Sequence, residues 1–134
     1  MKKSKFAIPL LALLIFGCAS LQLSKQMEKF DLMSENYATA IKWSDFEAAY
    51  YSSKDAQTGS KPPDFRKFKL VKVTSYEVRQ FIVSEDNSQV RQIVEIKYYK
   101  LNYNVVRTIL DHQLWEYDPE GKIWYLRTEL PDFK

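Results

Sequence analysis

The chain has 134 residues, 46% of them hydrophobic and 15% aromatic, with a formal charge of +3. That length suits one domain with a real core, and 20 aromatic residues are too many for a disordered tail. Three scattered glycines, one cysteine and one histidine exclude a phosphate-cradling loop, an intramolecular disulfide and a zinc site of the usual composition.

The N-terminus is built in three parts. Lys2, Lys3 and Lys5 form a positive region, Phe6 to Phe16 an apolar run, and Gly17 stands before Cys18. This is the layout of a secretory signal. A membrane-spanning helix needs about 20 apolar residues, and this run is shorter, interrupted by Pro9 and followed at once by polar sequence. The run Ile15-Phe16-Gly17-Cys18 resembles the bacterial lipobox, although Phe16 is bulkier than is usual at its position. The resemblance implies that the signal peptidase recognises Ile15, Phe16 and Gly17 and leaves Cys18 as the first mature residue. The Cys18 sulfur would then carry a diacylglyceryl group and its amine a further chain such as palmitate. The alternative is an ordinary secretory signal with an incidental cysteine. One acyl chain holds a protein only marginally, whereas several give lasting attachment. Ala19, where an Asp commonly signals inner-membrane retention, resembles the pattern directed to the outer membrane, facing the periplasm. The chain accordingly divides into a signal peptide (1–17), a lipidated tether (18–24) and a single α+β domain (25–134).

Loss of the signal removes three lysines, so the 20 basic residues become 17 against 17 acidic. A nonspecific nucleic-acid binder needs a net basic footprint or a basic stripe, and no nucleic acid is expected as a partner. The densest run, Arg66 to Lys72, alternates in the manner of a strand with one wet face.

Two helices come first. Met27, Phe30, Met33 or Ser34, Tyr37 and Ile41 recur on one helical face over about 25–42. Ser44-Asp45-Phe46-Glu47 matches a capping box opening a second helix to about Lys54. Asp55 to Asp64, with Gly59, Pro62 and Pro63, reads as a loop. Strands follow over 66–84 and 89–101 around the turn Glu85 to Ser88, then over about 105–117 and, after Asp118-Pro119-Glu120-Gly121, over 122–130. All four are sequential and antiparallel.

The phase of alternation switches twice. Val71 and Val73 share one parity while Tyr76, Val78 and Ile82 share the other; Val94, Ile96 and Tyr98 give way to Tyr99, Leu101 and Tyr103. Each switch predicts a bulge or bend. Strands this long must bend to wrap a core, so the expected architecture is N-terminal helices packed on a strongly curved four-stranded antiparallel sheet, a half-open cone. The stretches "ENYATAIKWSDFEAAYYSSK" and "LWEYDPEGKIWYLRTELPDF" around a long bent hairpin resemble the nuclear-transport-factor-like, or cystatin-like, cone of small uncharacterised bacterial lipoproteins. That superfold hosts isomerases, dehydratases, binding modules and oligomerisation domains, so it does not fix a function.

Enzymes of that fold place an Asp, often with a His or Tyr, deep in the cone. Here the candidates are Asp111 and His112, but neighbours on a strand point to opposite faces and cannot form a dyad without a bulge. His112 is expected as a partly buried sheet residue, and Asp111 as an exposed carboxylate paired across the sheet with a Lys or Arg. The alternative is a lone Asp111 inside the cone, the best single acid/base candidate, because burial raises its pKa. Glu85-Asp86-Asn87 lacks the spacing of a calcium loop, and no metal or cofactor is expected.

The aromatics of the last strands are expected as core packing. If a pocket exists, Tyr98, Leu114 and Trp124 would line it. Three functions follow: a noncatalytic module contacting a protein partner or a second copy through its sheet, a binder of a small apolar ligand, and an isomerase- or dehydratase-like enzyme. An apolar patch on the outer sheet face marks the first, an open cavity the second, and a carboxylate buried in that cavity the third.

Overall fold

A computed structural model describes residues 9–134, with side chains from Leu21 onward. Lys2, Lys3 and Lys5 lie outside the described residues, as do the side chains of Ile15, Phe16 and Cys18. Helix α1 (Pro9–Lys42) runs without a break through segment 18–24, expected as a tether, so that stretch of backbone is helical. Among the described residues no helix is long and apolar enough to cross a membrane.

The buried face of α1 is the one the spacing predicts: Phe30, Tyr37 and Ile41 are buried, with Met27 and Met33 packed beside them. The helix ends in a Schellman arrangement. Ser44 adopts φ +57°, its N–H donates to the Ile41 carbonyl (2.9 Å), and the Asp45 N–H donates to the Ala40 carbonyl (2.8 Å). This corrects the capping box. Ser44 closes α1 instead of opening the next helix, and its hydroxyl accepts from the Val73 N–H (3.0 Å), fastening the helix end to the sheet. Asp45 takes the capping role, its carboxylate accepting from the Ala48 N–H (3.0 Å).

Helix α2 (Phe46–Tyr50) is shorter than expected, and a helical turn α3 (Lys54–Thr58) stands where a loop was predicted. Ser53 opens α3 by accepting from the Ala56 N–H, and Gly59 ends it at φ +73°. A 3-10 turn over Phe65–Phe68 replaces the predicted start of the first strand. Asp64 caps it and grips the Arg66 guanidinium (2.9 Å), while Phe68 turns inward onto Phe46 (4.8 Å between ring centroids). The basic run is therefore not one wet strand face; its strand begins at Val71.

The sheet is an antiparallel meander in the order β1 (Val71–Val83), β2 (Gln89–Lys100), β3 (Arg107–Asp118) and β4 (Ile123–Leu126). It is open and curved, so the fold is α+β, with the helices packed on a four-stranded antiparallel sheet. Register shifts fall between Val73 and Ser75, where the phase switch predicts one, and between Val78 and Gln80. The second restores the first parity, so Phe81 rather than Ile82 faces the helix, its ring 5.7 Å from that of Phe30. The expected switch late in β2 is not a bulge: Val90 to Tyr98 keep one inward phase, and Leu101 and Tyr103 lie exposed beyond the strand end.

The pairings place inner residues in rows: Val83, Val90, Trp115 and Leu126; Phe81, Gln92 and Gln113; Val78, Val94 and Asp111; Tyr76, Ile96 and Ile109. Trp115 and Trp124 are fully buried, with Phe30 edge-on to both (5.9 and 5.2 Å) and Tyr37 edge-on to Trp115 (5.6 Å). The chain beyond β4 returns along the domain, and Phe133 closes the far end against Tyr98 (4.9 Å) and Phe46 (5.1 Å).

Candidate functional site

Strand alternation puts Asp111, Gln113 and Trp115 on the inner face and His112 and Leu114 on the outer one. Asp111 is buried under α1, not exposed and cross-paired as expected, and His112 is exposed, not partly buried. The two form no dyad. Asp111 is instead part of a buried polar cluster built around the Gln113 amide.

Gln113 Nε2 donates to Asp111 Oδ2 (2.8 Å) and Tyr76 Oη (3.0 Å), while its Oε1 accepts from Gln92 Nε2 (2.9 Å) and Trp115 Nε1 (3.1 Å). Both amide hydrogens and both oxygen lone pairs are therefore used. Burial raises the Asp111 carboxyl above its ordinary range, opposed by the Gln113 hydrogen bond and by nearby His112. Burial likewise holds Tyr76 up at about 12 and, with Asp111 and Tyr76 close by, Tyr37 well above the usual phenol range. The Tyr37 hydroxyl is buried without a partner among the described residues.

A raised carboxyl beside two phenols is chemistry an acid catalyst uses. A substrate must reach it, however, and Asp111 lines none of the principal surface clefts. The expected pocket residues do not converge either. Tyr98 is buried against Phe133, its hydroxyl donating to the Lys134 carbonyl (2.6 Å); Trp124 is buried under Phe30, its Nε1 donating to the Gln26 carbonyl (2.8 Å). Leu114 stands on the opposite face of the sheet. Tyr98 and Trp124 both belong to the buried core cluster.

The outer face has the open surface. Its rows are Ile82, Arg91 and Leu114; Gln80, Ile93 and His112; Glu77, Glu95 and Leu110. Ile82 and Leu110 are 54% and 58% exposed, with Ile93 and Leu114 half-buried between them around a shallow depression of about 210 Å³. Arg79, the bulge residue, bridges Glu77 (2.9 Å) and Glu95 (3.2 Å) along one border. Exposed Arg91 stands between Ile82 and Leu114, and exposed His112 between Leu110 and Leu114, so the face interleaves aliphatic side chains with charged and polar ones.

A second depression of about 250 Å³ lies between α3 and the C-terminal segment, lined by Tyr50, Ser53, Lys61, Lys67 and Glu129. No sequence signal marks it, because its walls come from loops far apart in the chain. Among the described residues no group of three metal-ligating side chains occurs.

No family model, no curated protein and no solved structure matches the chain at a significant level. The functional reading therefore rests on the residues themselves.

Proposed function

We propose that the chain is a lipid-anchored cell-envelope protein, held through Cys18 in the outer membrane on its periplasmic side, whose domain works as a noncatalytic interaction module. In this reading residues 1–17 are a lipoprotein signal, and the domain is related to the nuclear-transport-factor-like cone of small bacterial lipoproteins. The partner is a protein or a second copy of the chain. The observation that carries the reading is the exposure of Ile82 and Leu110, with Ile93 and Leu114 half-buried beside them, on the open outer face of the sheet, whereas Tyr98 and Trp124 belong to the core. Aliphatic side chains interleaved with Arg91 and His112 on an open sheet face have the mixed composition of a protein contact surface.

The anchor is tested by metabolic labelling with palmitate in a bacterial host: the chain takes up label, and Cys18→Ser takes up none. Contact is tested by a photo-crosslinking residue at Leu110. Crosslinks to one defined protein or to a second copy, lost with Ile82→Asp, support the reading; absence of any protein crosslink contradicts it.

Asp111 supports a second reading as an isomerase- or dehydratase-like enzyme, since its carboxyl is buried and raised. That reading requires a path for substrate to Asp111, and it fails if Asp111→Asn leaves every phenotype of the chain unchanged.

A further inference from the structure

One end of the sheet gathers lysines beside exposed apolar side chains. The start of β1 and the β2–β3 connection meet at one end, where Val71 pairs with Lys100, Lys72 with Tyr99, and the Leu101 N–H donates to the Leu70 carbonyl (2.9 Å). Residues 65–76 and 96–110 at that end contain Arg66, Lys67, Lys69, Lys72, Lys97, Lys100 and Arg107; Asp64 pairs with Arg66, and Glu129 and Asp132 share a cleft with Lys67 and Lys100. Lys42, Lys69 and Lys72 form no ion pair among the described residues. The opposite end, at the turns Ser84 to Ser88 and Asp118 to Lys122, mixes Glu85, Asp86, Asp118 and Glu120 with Lys25, Lys29 and Lys122.

The same end exposes several large apolar side chains. Trp43 is 80% exposed, next to Ser44, which is bonded to the Val73 N–H. Tyr103, Val105 and Val106 on the β2–β3 loop are 66%, 58% and 59% exposed, and Leu70 and Leu101 stand beside them. Aliphatic tips gain nothing on a phosphodiester backbone. A Trp and a Tyr set among aliphatics and ringed by lysines is the composition of a surface that seats at the headgroup boundary of a bilayer. Anionic lipid complements the ring of cations, and each lysine near such a surface adds to binding.

We propose that this end of the domain, formed by Trp43, Leu70, Leu101, Tyr103, Val105 and Val106 within a ring of Lys42, Lys69 and Lys72, inserts peripherally into an anionic lipid surface. The inference is independent of the anchor and of the outer-face contact. The N-terminal part of α1 leaves from the other end, where Gln26 Nε2 donates to the Asn87 carbonyl and Lys29 Nζ to the Lys122 carbonyl. A chain acylated at Cys18 would therefore address two lipid surfaces, one at each end.

Trp43 makes the test direct, because Trp115 and Trp124 are fully buried and contribute a constant signal. The full chain is mixed with phosphatidylglycerol vesicles or with phosphatidylcholine vesicles, and its fluorescence is quenched by acrylamide or by bromine on the lipid chains. The expected result on phosphatidylglycerol is protection of Trp43 from acrylamide and quenching by the brominated lipid. Phosphatidylcholine, the Val105→Asp/Val106→Asp chain and the Lys69→Glu/Lys72→Glu chain should each need roughly tenfold more lipid or more, as loss of two cations near the surface implies. These positions are exposed, so circular dichroism should show all variants folded. Attachment by the N-terminal segment alone leaves Trp43 open to acrylamide, and that result overturns the proposal. Protection without vesicles, or by an acidic polypeptide but not by vesicles, overturns it equally in favour of a protein partner.

Discussion

Replacing Gln113 with leucine should be among the most damaging single changes in the domain. Leucine keeps much of the volume but withdraws four hydrogen bonds, leaving Trp115 Nε1 and Gln92 Nε2 without their acceptor and Asp111 without its donor. Trp115 and Gln92 are 0% and 5% exposed, so water cannot readily substitute. An unsatisfied buried polar group costs about 1–3 kcal/mol. Two orphaned donors therefore predict a loss of roughly 2–6 kcal/mol, a large share of the ~5–15 kcal/mol of a typical domain. Urea denaturation of the full chain, followed by near-ultraviolet circular dichroism of the buried tryptophans, reads this as a lower midpoint. Adding Gln92→Leu removes one of the orphans and should return about 1–3 kcal/mol, because losing both partners is cheaper than losing one. A single Gln113→Leu change within about 0.5 kcal/mol of the parent, the range of ordinary surface substitutions, would refute the network as described.

Other outcomes follow from the same geometry. Because the folded Asp111 carboxyl lies above its unfolded value, the folded state binds the extra proton, and stability falls as pH rises through the folded pKa. Asp111→Asn should therefore raise the melting temperature at neutral pH, with the gain vanishing as pH falls below the ordinary carboxylate range; an unchanged gain at low pH contradicts the assignment. Ser44→Ala removes the hydroxyl that accepts from the Val73 N–H and should cost about 1 kcal/mol in the same urea assay. Phe133→Ala removes the ring packed on Phe46, Phe68 and Tyr98 and should cost about 3–5 kcal/mol, reading out the C-terminal segment as part of the core.

The sequence made the architecture legible where periodicity is long. The α1 face of Phe30, Tyr37 and Ile41, the hairpin turn at Asp86-Asn87 and the bulge after Val73 all follow from spacing and turn chemistry. Short elements escaped it, because one residue can serve two caps. Ser44 fits a capping box on paper, yet tertiary contact with Val73 and a left-handed backbone make it the end of α1. The basic run from Arg66 alternates like a strand, but the Asp64 cap and the inward turn of Phe68 curl it into a 3-10 turn. The second bulge was hidden because its phase change cancels the first, which misassigned Ile82 and concealed Phe81.

The polar cluster was partly visible. Gln92 between Val90 and Val94, and Gln113 between Asp111 and Trp115, occupy inward positions of apolar strands, a signal that glutamine there is buried and bonded. What spacing cannot supply is the cross-strand row that joins Gln92 to Gln113, or the two tyrosines reaching in from α1 and β1. The same limit produced the expected grouping of Tyr98, Leu114 and Trp124. They lie on three strands, and parity across those strands is set by a register that only pairing reveals.

The most direct test of the interaction reading is native mass spectrometry of the full chain, extracted from a bacterial envelope in mild detergent. The reading predicts a ligand-free chain, as a dimer or in complex with one defined protein, and loss of that assembly with Ile82→Asp and Leu110→Asp. A co-purifying small molecule that disappears on Trp124→Ala, or a ligand-free monomer that neither substitution alters, would contradict it.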